Sequence, residues 1–286
     1  MKSSEQLRNM LKEPGLIQLP GCFDCITAML AWKAGFPALY LTGSGMSLTM
    51  TGHPDLNTIS YTEVRQIAEN IRSAVPIPLM VDIDTGFGGP LNIYRLLKDF
   101  ERLDIAAVQI EDQKAPKKCG HEPGRKVVEP EEMIKRIAML KDNRANNGIV
   151  IVARTDARTY LGLDEAIKRA NIYLASGADI AFVESPESYE EVKRIAQEVQ
   201  GPVLFNNVEG GRSPFLSKQE LLDAKVKLTI YPNTQTRVIA KECLETLKTL
   251  HATGTTSSLS DHMLSHKDLW ELFGAEEWYK LEKKYN

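Results

Sequence analysis

No apolar run in this 286-residue chain approaches the roughly 18 residues that a membrane span needs. Residues 1–15 are polar and hold no continuous apolar core, so no signal peptide is expected. Cysteine is scarce. The four thiols, at positions 22, 25, 119 and 243, are too few for a disulfide scaffold of this size, and reduced thiols in the cytoplasm are expected. Cys22-Phe23-Asp24-Cys25 has redox-motif spacing, but it reads as an apolar stretch and not as the start of a helix after a strand; two packed thiols are expected there. Neither sign of charge is in excess: 35 Lys+Arg against 38 Asp+Glu leave a net charge of -3. The basic residues are dispersed, which excludes the concentrated basic face that nucleic acid requires. No His or Cys cluster marks a zinc site. No glycine-rich dinucleotide fingerprint follows the first apolar run, which counts against a doubly wound open sheet. Repeats, low-complexity tracts and convincing linkers are also missing, so residues 1–286 are expected to form one domain.

Apolar material is plentiful, at 43% of residues. It falls in short β-branched runs at 16–19, 38–41, 78–83, 106–110, 149–153, 180–183, 203–205 and 227–230. Continuous runs indicate strands buried on both faces, as in parallel sheets. Amphipathic stretches such as 61–73, 129–141 and 163–176 lie between them. Alternation of this kind builds βαβ units, and eight of them in about 230 residues match an α/β fold of the (β/α)8 TIM-type barrel. A C-terminal helical segment follows at 238–286, with Trp270, Phe273, Trp278 and Tyr279; one barrel helix does not need so much aromatic surface, so this segment closes the barrel or docks on another subunit.

Polar residues at the C-terminal ends of barrel strands form active sites. Here those ends carry Tyr40 to Gly45, Asp82 to Gly88, Glu111-Asp112, Arg154-Thr155-Asp156, Glu184 and Asn206 to Glu209. Asp82 and Asp84 are two apart, so both side chains share one face of a strand, and Glu111 ends the next one. Converging carboxylates repel unless a cation sits among them, and Mg2+ suits this ligand type. Arg154 is suited to bidentate binding of a carboxylate, with Glu184 or Asp156 as its alternative partner. Gly43-Ser44-Gly45 offers backbone N–H groups to an anion. Lys117-Lys118-Cys119-Gly120-His121 places a thiol among cations beside a glycine, the composition of a mobile catalytic loop over an anionic substrate.

Together the motifs Tyr40-Leu41-Thr42-Gly43, Val81-Asp82-Ile83-Asp84-Thr85-Gly86-Phe87-Gly88, Gln109-Ile110-Glu111-Asp112-Gln113, Lys117-Lys118-Cys119-Gly120-His121 and Ala153-Arg154-Thr155-Asp156-Ala157 resemble the isocitrate lyase/phosphoenolpyruvate mutase superfamily, and within it the methylisocitrate lyase group. The resemblance covers nearly the whole chain. It implies a barrel whose eighth helix is exchanged between subunits, and hence a homotetramer. It also implies Mg2+, or Mn2+, bound directly by Asp84 and through water by Asp82, Glu111 and Asp55. Thr42, Gly43, Ser44, Arg154, Glu184 and Asn206 would hold the 2-hydroxy-acid portion of a small carboxylate, with Tyr40 near its hydroxyl. Gly120 and His121 would close over the departing half; Cys119, flanked by Lys118, would be the acid that protonates it.

Lyases of the superfamily that break carbon–carbon bonds carry this cysteine loop, whereas its phosphonate mutases and decarboxylase branch generally lack that cysteine. The implied reaction is cleavage of 2-methylisocitrate to pyruvate and succinate. Cleavage of 2,3-dimethylmalate or another 2-alkylmalate is the second choice, and phosphonate chemistry the third. Val208 stands where tricarboxylate lyases usually carry Thr or Ser, and Val208-Glu209-Gly210-Gly211 resembles the malate-type members. Arg237 matches a position near the third carboxylate.

Overall fold

The computed structural model describes every residue except His121 and Pro123. The chain forms two compact units, Met1–Gln235 and Thr236–Asn286. The first is a closed barrel of eight parallel strands in sequence order, β1 pairing with both β2 and β8. The strands are β1 (Ile17–Cys22), β2 (Leu39–Leu41), β3 (Leu79–Asp82), β4 (Ala107–Glu111), β5 (Val150–Thr155), β6 (Ile180–Val183), β7 (Val203–Asn206) and β8 (Leu228–Tyr231). The helices are α1 (Ser3–Lys12), α2 (Cys25–Lys33), α3 (Gly43–Thr51), α4 (Tyr61–Ala74), α5 (Pro90–Arg102), α6 (Pro130–Asn143), α7 (Arg158–Leu161), α8 (Leu163–Ala175), α9 (Tyr189–Glu198), α10 (Lys218–Asp223), α11 (Thr234–Thr253), α12 (His266–Leu272) and α13 (Ala275–Tyr285). No helix among the described residues is long and apolar enough to cross a membrane.

Side chains alternate across each strand, and the two sets go to different cores. Leu39, Leu41, Leu79, Val81, Val108, Ile110, Ile151 and Ala153 face outward into a layer shared with the helices. Tyr40, Met80, Ala107, Val150, Val152, Phe182, Leu204 and Ile230 fill the lumen. Extending the lumen set toward the C-terminal ends, by two residues or, on β4, by four through Gln109, reaches Asp82, Glu111, Arg154, Glu184 and Asn206. The barrel's parity therefore aims all five inward.

Gly43-Ser44-Gly45 forms the first turn of α3, which starts after Thr42 and is ended by Gly52 at φ +68°. Cys22 ends β1 and Cys25 opens α2 behind Asp24, whose carboxylate accepts from Thr27 N at 2.7 Å. The pair thus does sit at a strand-to-helix turn. Burial, then the neighbouring Asp24 charge, raises both thiol pKa values, the opposite of a redox cysteine.

Candidate active site

At the C-terminal mouth of the barrel lies a small cleft of about 40 Å3, walled by Tyr40, Thr42, Ser44, Asp82, Glu111, Arg154 and Asn206. The loop residues Lys117, Lys118, Cys119 and Gly120 line it from the other side. Asp82, Asp84 and Glu111 each present a carboxylate oxygen, the three lying within 4.8 Å of one another. Asp84 reaches this position because the chain turns into the left-handed region after β3, with φ +49°, and its N–H donates to Asp82 Oδ1 at 3.1 Å. Asp and Asn are the non-glycine residues that tolerate this conformation best.

The acids are poorly compensated. Burial raises the Asp84 pKa to about 7; Lys117 opposes this, and the charges of Asp82 and Asp55 add to it. Burial also lifts Glu111 well above the carboxylate range against the pull of Arg154. Glu111 Oε1 is buried and has no hydrogen-bond partner. An acceptor with no donor beside two further carboxylates is the donor set of a hard divalent cation. The residues present therefore fit Mg2+ or Mn2+.

Lys117 was not singled out from sequence beyond its place in the loop, yet its ammonium is the local counter-charge. It donates to Asp55 Oδ1 and Oδ2 at 2.7 and 2.6 Å and lies 2.7 Å from Asp84 Oδ1. Burial works to lower its pKa, but Asp84 and Asp55 outweigh burial and hold the ammonium charged. Asp55, expected with the metal acids, stands outside that group as the partner of Lys117.

Arg154 is paired with Asp156, one of the two alternative partners expected for it. Its fork is already taken: Nε and Nη2 donate to Asp156 Oδ2 and Oδ1 at 2.8 and 2.9 Å. Glu111 and Glu184 lie 3.4 and 3.5 Å from the same nitrogens, and the guanidinium stacks 5.2 Å over the Phe182 ring. Nη1 takes part in none of these contacts. Asn206 Nδ2 donates to Glu184 Oε2 at 3.1 Å, and Glu184 Oε1 accepts from Ser185 N at 2.9 Å. Tyr40 donates to Gln109 Oε1 at 2.6 Å, and its hydroxyl lies 3.1 Å from Asp82. Burial, then Asp82, raises its pKa and keeps it a phenol. Gln109 was missed, although it faces the lumen two residues before Glu111.

The loop is pinned to the barrel by its backbone. Gly120 O accepts from Ser185 Oγ at 3.0 Å, and a Cβ on Gly120 would lie 2.5 Å from Arg154 Nη2 and 2.8 Å from Glu184 Cδ. Only glycine allows so close an approach. Gly43 touches the acids in the same way, its absent Cβ 3.0 Å from Asp82 Oδ2. Gln113 braces Lys118, donating to its carbonyl at 2.8 Å and accepting from its N–H at 3.0 Å. Arg237 lies exposed on α11 in the second unit. His121 lies outside the described residues.

The family model "Phosphoenolpyruvate phosphomutase" matches residues 7–251. The chain belongs to this family, part of the isocitrate lyase/phosphoenolpyruvate mutase superfamily. It is 39% identical over 285 residues to a 2,3-dimethylmalate lyase of Eubacterium barkeri, covering 100% of this chain and 99% of that protein. It is 40% identical over 280 residues to a 2-methylisocitrate lyase of Halalkalibacterium halodurans, covering 98% and 92%. A crystal structure of 2,3-dimethylmalate lyase superposes with a TM-score of 0.94 at 31% identity, covering 100% and 96%. The chain is accordingly a carbon–carbon lyase.

Proposed function

We propose that the protein cleaves a 2-hydroxy dicarboxylate of the 2,3-dimethylmalate type into pyruvate and a second, shorter carboxylate. The observation that carries this reading is the composition of the cleft wall. Val208, Ile230 and Pro232 line it, and its cationic side chains among the described residues are Lys117, Lys118 and Arg154. Apolar walls suit alkyl groups at C2 and C3, and Val208 has no donor for a third carboxylate. Cleavage of 2-methylisocitrate to pyruvate and succinate is the second reading, supported by the similarity to a lyase of that name and by Arg237 as a charge for the extra carboxylate.

Mg2+ or Mn2+ would be held directly by Asp84 and through water by Asp82 and Glu111, and would supply Lewis-acid stabilisation of charge on the C2 oxygens. Arg154 Nη1 and the first-turn N–H groups of α3, with Thr42 and Ser44, orient the C1 carboxylate. Glu184 and Asn206 hold each other and the floor beneath it. Tyr40, held by Gln109, lies beside the hydroxyl oxygen. The C2 hydroxyl loses its proton, C2 becomes the ketone, and the C2–C3 pair passes to C3 of the departing half. The hydroxyl proton passes to solvent before the loop closes, the Cys119 thiol gives its proton to C3, and the thiolate takes a proton from solvent when the loop reopens, so atoms balance. Lys118 and His121 stabilise the departing carboxylate, and the loop excludes water while the carbanion exists.

None of α11, α12 or α13 holds a buried residue, and Trp278 is 70% exposed. That supports helix exchange in a homotetramer, for which light scattering is the check. Mass spectrometry on parallel incubations tests the chemistry. Propionate with pyruvate from 2,3-dimethylmalate is expected at the higher kcat/KM. Succinate with pyruvate from 2-methylisocitrate at a higher kcat/KM favours the second reading. Turnover of phosphonopyruvate alone overturns both.

A further inference from the structure

A buried chain of charge joins the end of the loop to the substrate arginine, and the chemistry above does not use it. The Arg125 and Asp156 side chains are both fully enclosed, at 0% exposure. Arg125 Nη1 donates to Asp156 Oδ1 at 2.5 Å, and Nη2 donates to Thr159 Oγ1 at 2.6 Å. The same Asp156 carboxylate receives the Arg154 fork. The backbone of Asp156 is fixed in turn, its N–H donating to Asp112 Oδ1 at 2.9 Å, while Asp112 accepts from Thr155 and Tyr173 at 2.7 and 2.8 Å.

Two physical consequences follow. Asp156 Oδ1 is shared by two guanidiniums, so Arg125 sets the carboxylate angle that Arg154 reads. Arg154 also faces Glu111 and Glu184, so without Arg125 the Arg154 guanidinium alone would meet the Asp156 charge as well as those two acids where an anion must bind. Fixed orientation and reduced negative potential both favour a substrate carboxylate.

We infer that Arg125 is a positioning residue: seated on Asp156, it aims Arg154 Nη1 at the substrate carboxylate and thereby ties carboxylate affinity to the docked state of the loop's C-terminal end. This rests on the reading that Arg154 binds such a carboxylate. Tyr160 provides the control, because its hydroxyl tethers the neighbouring Gly124 N–H without touching Asp156.

The test measures oxalate affinity by calorimetry with Mg2+ present, alongside KM and kcat for 2,3-dimethylmalate, in wild type, Arg125→Lys, Arg125→Met and Tyr160→Phe. Supporting contacts of this kind are typically worth about 10–100-fold. Arg125→Met should weaken oxalate and raise KM by that amount with a smaller change in kcat, Arg125→Lys should fall between it and wild type, and Tyr160→Phe should stay near wild type. If Arg125→Met does not fold, the Arg125→Lys shift decides. Unchanged oxalate affinity in Arg125→Lys and Arg125→Met, or an equal loss in Tyr160→Phe, overturns the inference and leaves Arg125 a loop anchor. Arg154→Lys separates the two levels: unchanged oxalate binding there removes the reading of Arg154 itself.

Discussion

Two acids at opposite ends of the barrel show what distinguishes scaffold from site. Asp179 lies just before β6, at the N-terminal end. It is bound by Arg8 at 2.9 Å, by Arg144 and by the Ile151 N–H at 2.8 Å. Burial pushes its pKa up, but the two guanidiniums and the amide outweigh burial and leave it below the usual range. Asp84 lies just after β3, at the C-terminal end. There one lysine faces a group of acids, burial dominates, and the pKa rises to about 7. Both carboxylates are largely enclosed; one has every partner it needs and the other lacks them. The satisfied acid closes the barrel, and the unsatisfied one is shaped for a cation that arrives from solution.

The sharpest way to break that contrast is to remove the cation. Chelation with EDTA should abolish pyruvate formation, and Mg2+ or Mn2+ should restore it. Asp84→Ala should lose several kcal/mol of transition-state stabilisation, roughly 10³-fold or more in rate, and more than Asp82→Ala or Glu111→Ala. Full turnover after rigorous chelation would remove the metal from the account.

Cys119→Ser comes next. A serine hydroxyl is a far weaker acid than a thiol, so kcat should drop by about 10²–10⁴ while oxalate binding persists. In D2O the wild type should place deuterium on one face of the former C3 carbon. Racemic labelling would assign the proton to solvent.

Asp179→Asn should act on stability and leave kcat unchanged. It strands Arg8 and Arg144 against each other and should lower unfolding free energy by roughly 2–3 kcal/mol at pH 7, below the ~3–5 kcal/mol of a fully buried pair because the site is partly hydrated. The folded-state pKa is depressed, so this contribution is present above the unfolded carboxylate pKa and is lost as pH falls through the folded value. Urea unfolding of both proteins should give curves that converge toward pH 2–3. A gap independent of pH would show that packing, not charge, holds that end together.

Val208→Thr should have the smallest effect, raising kcat/KM for 2-methylisocitrate relative to 2,3-dimethylmalate by about tenfold, the value of one added hydrogen bond. No change in the ratio would place the third-carboxylate site elsewhere.

Much of this was legible in the order of residues. Eight apolar runs located the strands, and the polar residues at their C-terminal ends, Asp82, Glu111, Arg154, Glu184 and Asn206, marked one mouth. What escaped depends on partners far apart in the chain. The contact of Lys117 with Asp55 spans 62 residues, and that of Arg125 with Asp156 spans 31.

Manganese titration followed by electron paramagnetic resonance tests the central claim most directly. Chelated protein should take up a single Mn2+ per chain, keep that site in Asp179→Asn and lose it in Asp84→Ala. Binding that survives Asp84→Ala, or no specific site in the wild type, would contradict the assignment of the barrel mouth as the metal-dependent centre of a carbon–carbon lyase.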